Sequence, residues 1–401
     1  MRQFGMITED GTCNKKLMDM DKLVKTSYKK EDVVVLLKNL SDCMKELPTE
    51  EREKLIQSGV HYSEMLPQEK APSAEYEALY EKALANKKLE IANDIAVVSE
   101  MILDESLYRE MGHVPVIISL ARAGLPVGIL IKRYLKYKYN IDCPHYGISI
   151  IRDKGIDKNA MEYIYKTECI EHGNSVMNMF FVDGWTGKGV IDQQVKEAVA
   201  DLAKEDSKKW GMLSDELYVL ADPANILDGC GTHEDYLLPS ACLNSTVSGL
   251  TSRTILNKHI NVEEGDFHGA VYFSKFEGID RSNGFIDIIS NEFPNTEEVT
   301  VDKINSMKPE EGWTGMSIVQ DICHVMNVPD YKKVKPGIGE TTRVLLRRVP
   351  WKVLINKDIS EDDPDIQHIL VLCKEKKIPT MRWDLGHYKV CGIIKELSAD
   401  A

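Results

Sequence analysis

Four short apolar runs limit what this chain can fold into. Residues 114–119, 146–151, 176–182 and 217–221 are rich in Val, Ile, Leu and Phe, have strand length, and are bounded by Gly, Asp or Pro. Continuous runs of this kind suit strands covered on both faces, as in a parallel sheet. The segments between them (126–139, 160–171, 190–204) have the length and polarity of crossover helices. The pattern predicts an α/β protein with a doubly wound, Rossmann-like parallel sheet.

The 401 residues exceed what one core comfortably holds. The reading divides them into a helical N-terminal region (1–110), the α/β core with a hood (111–306), a helix and linker (307–332) and a small α/β/α sandwich (333–401). In the first region Val33-Val34-Val35-Leu36-Leu37 is taken as helical. Ser73 is placed at the start of a long helix running to Leu103.

A net charge of −14 excludes a nucleic-acid coat over the whole surface, so any phosphate contact needs a local basic patch. Nine cysteines without a C-x-x-C pair fit a reducing compartment and give no metal framework. The first residues lack a signal-peptide core. The most apolar stretch, 114–131, is interrupted by Arg122, Gly124 and Pro126, so no membrane span is expected and the cytoplasm is the expected location. Nothing in the sequence fixes an oligomeric state.

The strongest motif is Met179-Phe180-Phe181-Val182-Asp183-Gly184-Trp185-Thr186-Gly187-Lys188-Gly189-Val190, a strand, an acid and a Gly-rich turn opening a helix. At the carboxyl end of a sheet strand, the amides of Thr186, Gly187, Lys188 and Gly189 are placed to hold a phosphate at a helix N-terminus. Asp183 would accept hydrogen bonds from sugar hydroxyls. A P-loop is excluded by spacing, and a plain strand-to-helix turn is the competing reading. A second strand-turn-helix contains Arg122, Ala123 and Gly124; the loop after the next strand carries Arg152 and Lys154.

These motifs resemble the substrate loops of type I phosphoribosyltransferases, with Gly184 standing where that family has a second acid. The resemblance implies an enzyme moving a ribose-phosphate group from phosphoribosyl diphosphate, with substrate-bound Mg²⁺ and pyrophosphate leaving. Asp183, Arg122 and Arg152 would then be catalytic, and Thr186, Gly187, Lys188, Gly189, Ala123 and Gly124 would bind phosphate. Asp222, Asn244, Arg253 and His61 would line an acceptor pocket. A non-catalytic ribose-phosphate sensor coupled to RNA is the alternative.

Most of the chain also resembles the phosphoribosyltransferase-like proteins of bacterial tellurite-resistance gene clusters, some of which carry the label StiP cysteine protease. The protease label finds little support in the residues: Cys143 and His145 are too close in sequence to point to a catalytic pair, and Cys242 and Cys323-His324 lack a legible partner set.

The segment from Gly337 to Arg348 and the strand-helix-strand pattern after it resemble the Pelota-type RNA-binding domain. That resemblance implies contact with structured RNA through Gly337, Glu340, Arg343, Arg347 and Arg348. Residues 331–352 hold seven positive side chains and one negative, a local reversal of the overall charge.

Overall fold

A computed structural model describes residues 19–257, 265–311 and 314–396. Its centre is a six-stranded, wholly parallel sheet built from β1 (Val34–Val35), β2 (Val116–Leu120), β3 (His145–Ile148), β4 (Met179–Trp185), β5 (Leu217–Ala221) and β6 (Cys230–Thr232). The strand order is β1-β3-β2-β4-β5-β6. The four central strands are the four apolar runs, and β2, β3 and β5 are buried at every position, as coverage on both faces requires.

The helices that frame the two modules include α1 (Thr49–Gln57), α2 (Ala74–Glu105), α3 (Gly124–Tyr139), α4 (Lys158–Ile164), α5 (Val190–Glu205), α6 (Gly315–Met326), α7 (Ile338–Arg347) and α8 (Gln367–Lys376). Ser73 caps α2 by accepting a hydrogen bond from the Tyr76 amide. Gly124 sits where α3 crosses β4 so closely that a Cβ would run into the Val182 carbonyl. Among the described residues no helix is long and apolar enough to cross a membrane.

Two edges of the sheet differ from the sequence reading. The 33–37 run is not helical: Val34 and Val35 pair in parallel with Tyr146 and Gly147. Five apolar residues in a row carry no period to separate a strand from a helix, and the open edge of β3 decided the matter. At the other edge, β6 (Cys230-Gly231-Thr232) has too few side chains to signal a strand.

The C-terminal module is a four-stranded mixed sheet of β7 (Val334–Pro336), β8 (Pro350–Asn356), β9 (Thr380–Trp383) and β10 (Val390–Ile394), in the order β7-β10-β8-β9. α6 belongs with it, since Val319 and Ile322 pack with Val334, Leu354, Tyr388 and Ile393. The module sits directly on the Gly-rich turn after β4. The Tyr388 hydroxyl donates to the Gly187 carbonyl at 2.7 Å. A Cβ on Gly187 would lie 2.9 Å from Glu340 Cγ, and one on Gly339 would fall inside the Trp185 indole.

Candidate functional site

Because α7 lies against the β4 turn, the two modules enclose a cleft of about 1370 Å³. Its walls come from α1, the Tyr62 turn, the loops after β2, β3 and β4, the Arg253 segment and α7. Sequence reading placed phosphate and RNA contacts in separate places. The structure brings Arg122, Arg152, Asp183, Thr186, Gly187, Lys188, Arg253, Glu340, Arg343, Arg347 and Arg348 to this one cavity.

Cations dominate the inner end. Arg122 pairs with Glu69 at 3.0 Å, both side chains being buried, and donates to the Thr251 carbonyl at 2.6 Å. Arg347 Nε donates to the Asn244 side chain at 2.6 Å, and Arg52 donates to the Arg347 carbonyl at 2.5 Å. Arg253 donates to the Tyr62 carbonyl and its guanidinium stacks 4.8 Å from that ring. Burial, together with crowding by neighbouring guanidiniums, pushes Arg253 down to about 9 and Arg347 well below its ordinary value. Glu69 stays below the usual carboxylate range: burial opposes its charge, but Arg122 and Arg347 outweigh that.

The outer part is mixed. Arg343 lies 4.2 Å over the Trp185 ring and bonds Glu340 at 3.1 Å. Burial would raise the Glu340 carboxyl, but Lys335, Arg343 and Lys188 hold it down at about 2. Arg348 grips Glu53 of α1 with two bonds of 2.7 and 2.8 Å, tying the modules together. His61 touches the rim, with one ring nitrogen 3.1 Å from the Arg152 carbonyl.

The Thr186–Gly189 loop is largely engaged within the protein. The Thr186 amide donates to the Ala221 carbonyl at 3.1 Å, and the Gly189 amide to Thr186 Oγ1 at 3.0 Å. Lys188 donates to the Tyr331 and Val334 carbonyls at 2.7 and 2.8 Å, and its burial lowers it to about 7. Asp183 accepts from the Gly184 amide at 2.7 Å, and burial lifts it to about 6. Ala123 faces Gly184 across the close contact of the two turns. Gly337, at a φ of 86°, turns the chain into α7.

Carboxylates facing the cleft could in principle hold Mg²⁺, but Glu53, Glu69 and Glu340 are each paired with arginine or lysine. Asp183 lacks such a contact and is disfavoured as a charge. A divalent ion here would depend mainly on oxygens brought by a ligand.

Asp222 does not join the cleft. Its Oδ2 accepts from the Ile226 and Leu227 amides, and it lies beside Cys230 and His233, just past the carboxyl end of β5. Cys230 Sγ is 3.6 Å from His233 Nε2, and Asp222 Oδ2 is 3.4 Å from His233 Nδ1. Nδ1 is also 2.9 Å from the Asp222 carbonyl, and Nε2 2.8 Å from the Met307 carbonyl. Carbonyls only accept, so a doubly protonated ring would satisfy both contacts. Burial disfavours that charge, but the bonds to Asp222 and Cys230 raise the ring to about 11. With both nitrogens protonated, His233 has no lone pair for a metal. Cys230 is fully buried, which pushes its thiol up.

Sequence reasoning missed Arg52, Glu53, Glu69 and Trp185 as cleft residues. In sequence Arg52-Glu53 looks like part of an exposed charged helix, yet both are buried. It also missed Cys230 and His233, whose i, i+3 spacing was the available signal.

A parallel α/β core that carries a small mixed-sheet module across a basic cleft defines a two-module α/β protein. Residues 313–396 match the PELOTA RNA binding domain. Residues 26–290 match the family described as tellurite-like stress resistance cysteine protease StiP. The chain is also 31% identical over 383 residues to "Cysteine protease StiP" of Acinetobacter baylyi (strain ATCC 33305 / BD413 / ADP1), covering 92% of this chain and 94% of the relative. The chain belongs to the StiP family.

These matches overturn the expectation of a phosphoribosyl-transferring enzyme. Family and relative are both described as a cysteine protease, a label with little support in the sequence motifs. The Mg²⁺ expectation rested on the diphosphate substrate of the transferase reading.

Proposed function

We propose that the cleft between the two modules binds RNA. One observation carries this reading: residues that line the cavity hold buried donors with no hydrogen-bond partner within the protein. They are the Nε atoms of Arg52, Arg152 and Arg253 and the Trp185 indole nitrogen. A buried unpaired donor costs about 1–3 kcal/mol, more on a charged group, so several in one wall favour an acceptor-rich, anionic ligand. Trp185 and Tyr62, interleaved with arginines, match the mixture of stacking faces and cations that holds single-stranded nucleic acid. The match of 313–396 to an RNA-binding domain supports the same reading.

The test is fluorescence anisotropy of the full chain with short single-stranded oligoribonucleotides over a salt series. Binding should weaken steeply with salt, and Arg347→Gln with Arg253→Gln should weaken it at least tenfold. Salt-independent binding, or none at low ionic strength, rules the reading out.

A second reading is favoured by the Cys230–His233–Asp222 group and the family's description: a thiol peptidase. An imidazolium beside a cysteine is the pairing that stabilises a thiolate nucleophile, with the carboxylate orienting the ring. Here the Met307 segment covers the thiol, so substrate access requires that segment to lift. With freshly reduced full chain and an unfolded protein substrate, cleavage should vanish in Cys230→Ala and persist in Cys43→Ala, which removes an exposed thiol. Equal cleavage by Cys230→Ala and wild type, or no cleavage by either, removes the reading.

A further inference from the structure

The inner end of the cleft differs in kind from its mouth. Arg52, Arg122, Arg253 and Arg347 converge there, and Glu69 is the one carboxylate paired among them within the described residues. Arg52 is 2% exposed and Arg122 9%. The nearby Glu53 is committed to Arg348. Four guanidiniums against one carboxylate leave an excess of about three positive charges in an enclosed space. Such an arrangement is expensive to keep empty of counter-charge. The unpartnered Nε atoms of Arg52 and Arg253 show donor capacity that the protein itself does not fill.

The mouth is lined by Lys332, 42% exposed in its side chain, with Lys333 and Lys335 behind it, each facing an acid: Asp153, Glu396 and Glu340 respectively. That region suits a chain of singly charged phosphodiesters passing through. The inner end does not, because an internal diester carries one charge and must leave room for the chain on both sides. A terminal phosphate monoester carries close to two charges at neutral pH, offers three acceptor oxygens and ends the chain. Arginine's planar fork matches such a group. The cavity exceeds the roughly 300–1,000 Å³ that takes a drug-sized ligand, which leaves space for nucleotides between the inner end and the mouth.

We propose that the arginine cluster of Arg52, Arg122, Arg253 and Arg347 is a subsite for a phosphate monoester, the phosphorylated end of an RNA strand whose following nucleotides run out along the cleft. This rests on the RNA-binding reading above. Recognition is then of a chain end.

The experiment compares three labelled oligoribonucleotides of one sequence on the full chain: 5′-phosphorylated, 3′-phosphorylated and hydroxyl-ended. Inorganic phosphate and a nucleoside monophosphate serve as competitors. One phosphorylated end should bind at least tenfold tighter than the hydroxyl-ended strand, and millimolar phosphate should erode that advantage. Arg253→Gln should weaken the strand with the preferred phosphorylated end far more than the hydroxyl-ended one and so abolish the preference, a change of ratio that misfolding would not produce. Lys332→Gln should weaken all three strands alike. Equal affinity for all three ends overturns the subsite and leaves RNA binding standing. Saturable binding of the nucleoside monophosphate without binding of any strand overturns both, and assigns the arginines to a small phosphorylated molecule.

Discussion

Asp183 shows how one residue can carry opposing demands. It ends an apolar strand, its carboxylate accepts the Gly184 amide, and burial lifts it from the ordinary aspartate value to about 6. A carboxyl whose folded-state pKa lies above its unfolded one favours folding while protonated. That contribution is full below about pH 4 and is lost as the pH rises through about 6. At pH 8 the ionised group therefore opposes folding by on the order of 1–3 kcal/mol. Asp183→Asn keeps an acceptor for Gly184 and removes the charge. The variant should raise the urea midpoint at pH 8 and show no gain at pH 4; no gain at pH 8 would mean the carboxylate is solvated.

Among the elements, α6 is the one whose role changed most between sequence and structure. The sequence reading places Gly315-Met316-Ser317-Ile318-Val319-Gln320-Asp321-Ile322 in the helix and linker of 307–332, outside the C-terminal sandwich. In the structure Val319 and Ile322 are fully buried against β7, β8 and β10, and Gly315 packs on Tyr388. Losing two buried aliphatic side chains costs roughly 1.5–3 kcal/mol each, most of the stability available to a module of this size. A fragment of residues 314–396 should melt cooperatively. A fragment of residues 331–396 should show no cooperative transition, as followed by circular dichroism. Equal melting of the two would show α6 to be a passenger.

For the molecule as a whole, the junction of the modules is held by buried charge. Glu53 is 1% exposed, and its own desolvation would raise its pKa, but the Arg348 bonds and charge hold it below the usual range. A depressed carboxyl stabilises the fold above its unfolded pKa, near 4.5, and loses that contribution as the pH falls through the folded value. Removing one partner of a buried pair is worth about 3–5 kcal/mol. Glu53→Ala should lower the melting temperature at pH 7 clearly, and the gap from wild type should close at acid pH. A constant gap from pH 7 to pH 3 would assign the loss to packing alone.

The sequence by itself determined the four central strands, their three crossover helices, the cap of α2 and the strand-helix pattern of the C-terminal module. Each is written in local periodicity and turn chemistry, which act over a few residues. The basic run around Lys332–Arg348 was legible in the same way. Only the tertiary structure decided that Val34–Val35 is an edge strand, that α6 is core, and that Arg52 and Glu53 face inward. It also brought Arg122, Arg253 and Arg347 together from three separated stretches, and placed Asp222 with Cys230 instead of in the cleft. Local pattern records which residues prefer to be buried, but a charged side chain buried against a distant partner looks like any surface charge until that partner arrives. The cleft exists because α7 docks on the turn after β4, a contact between residues more than 140 positions apart, and no local rule encodes it.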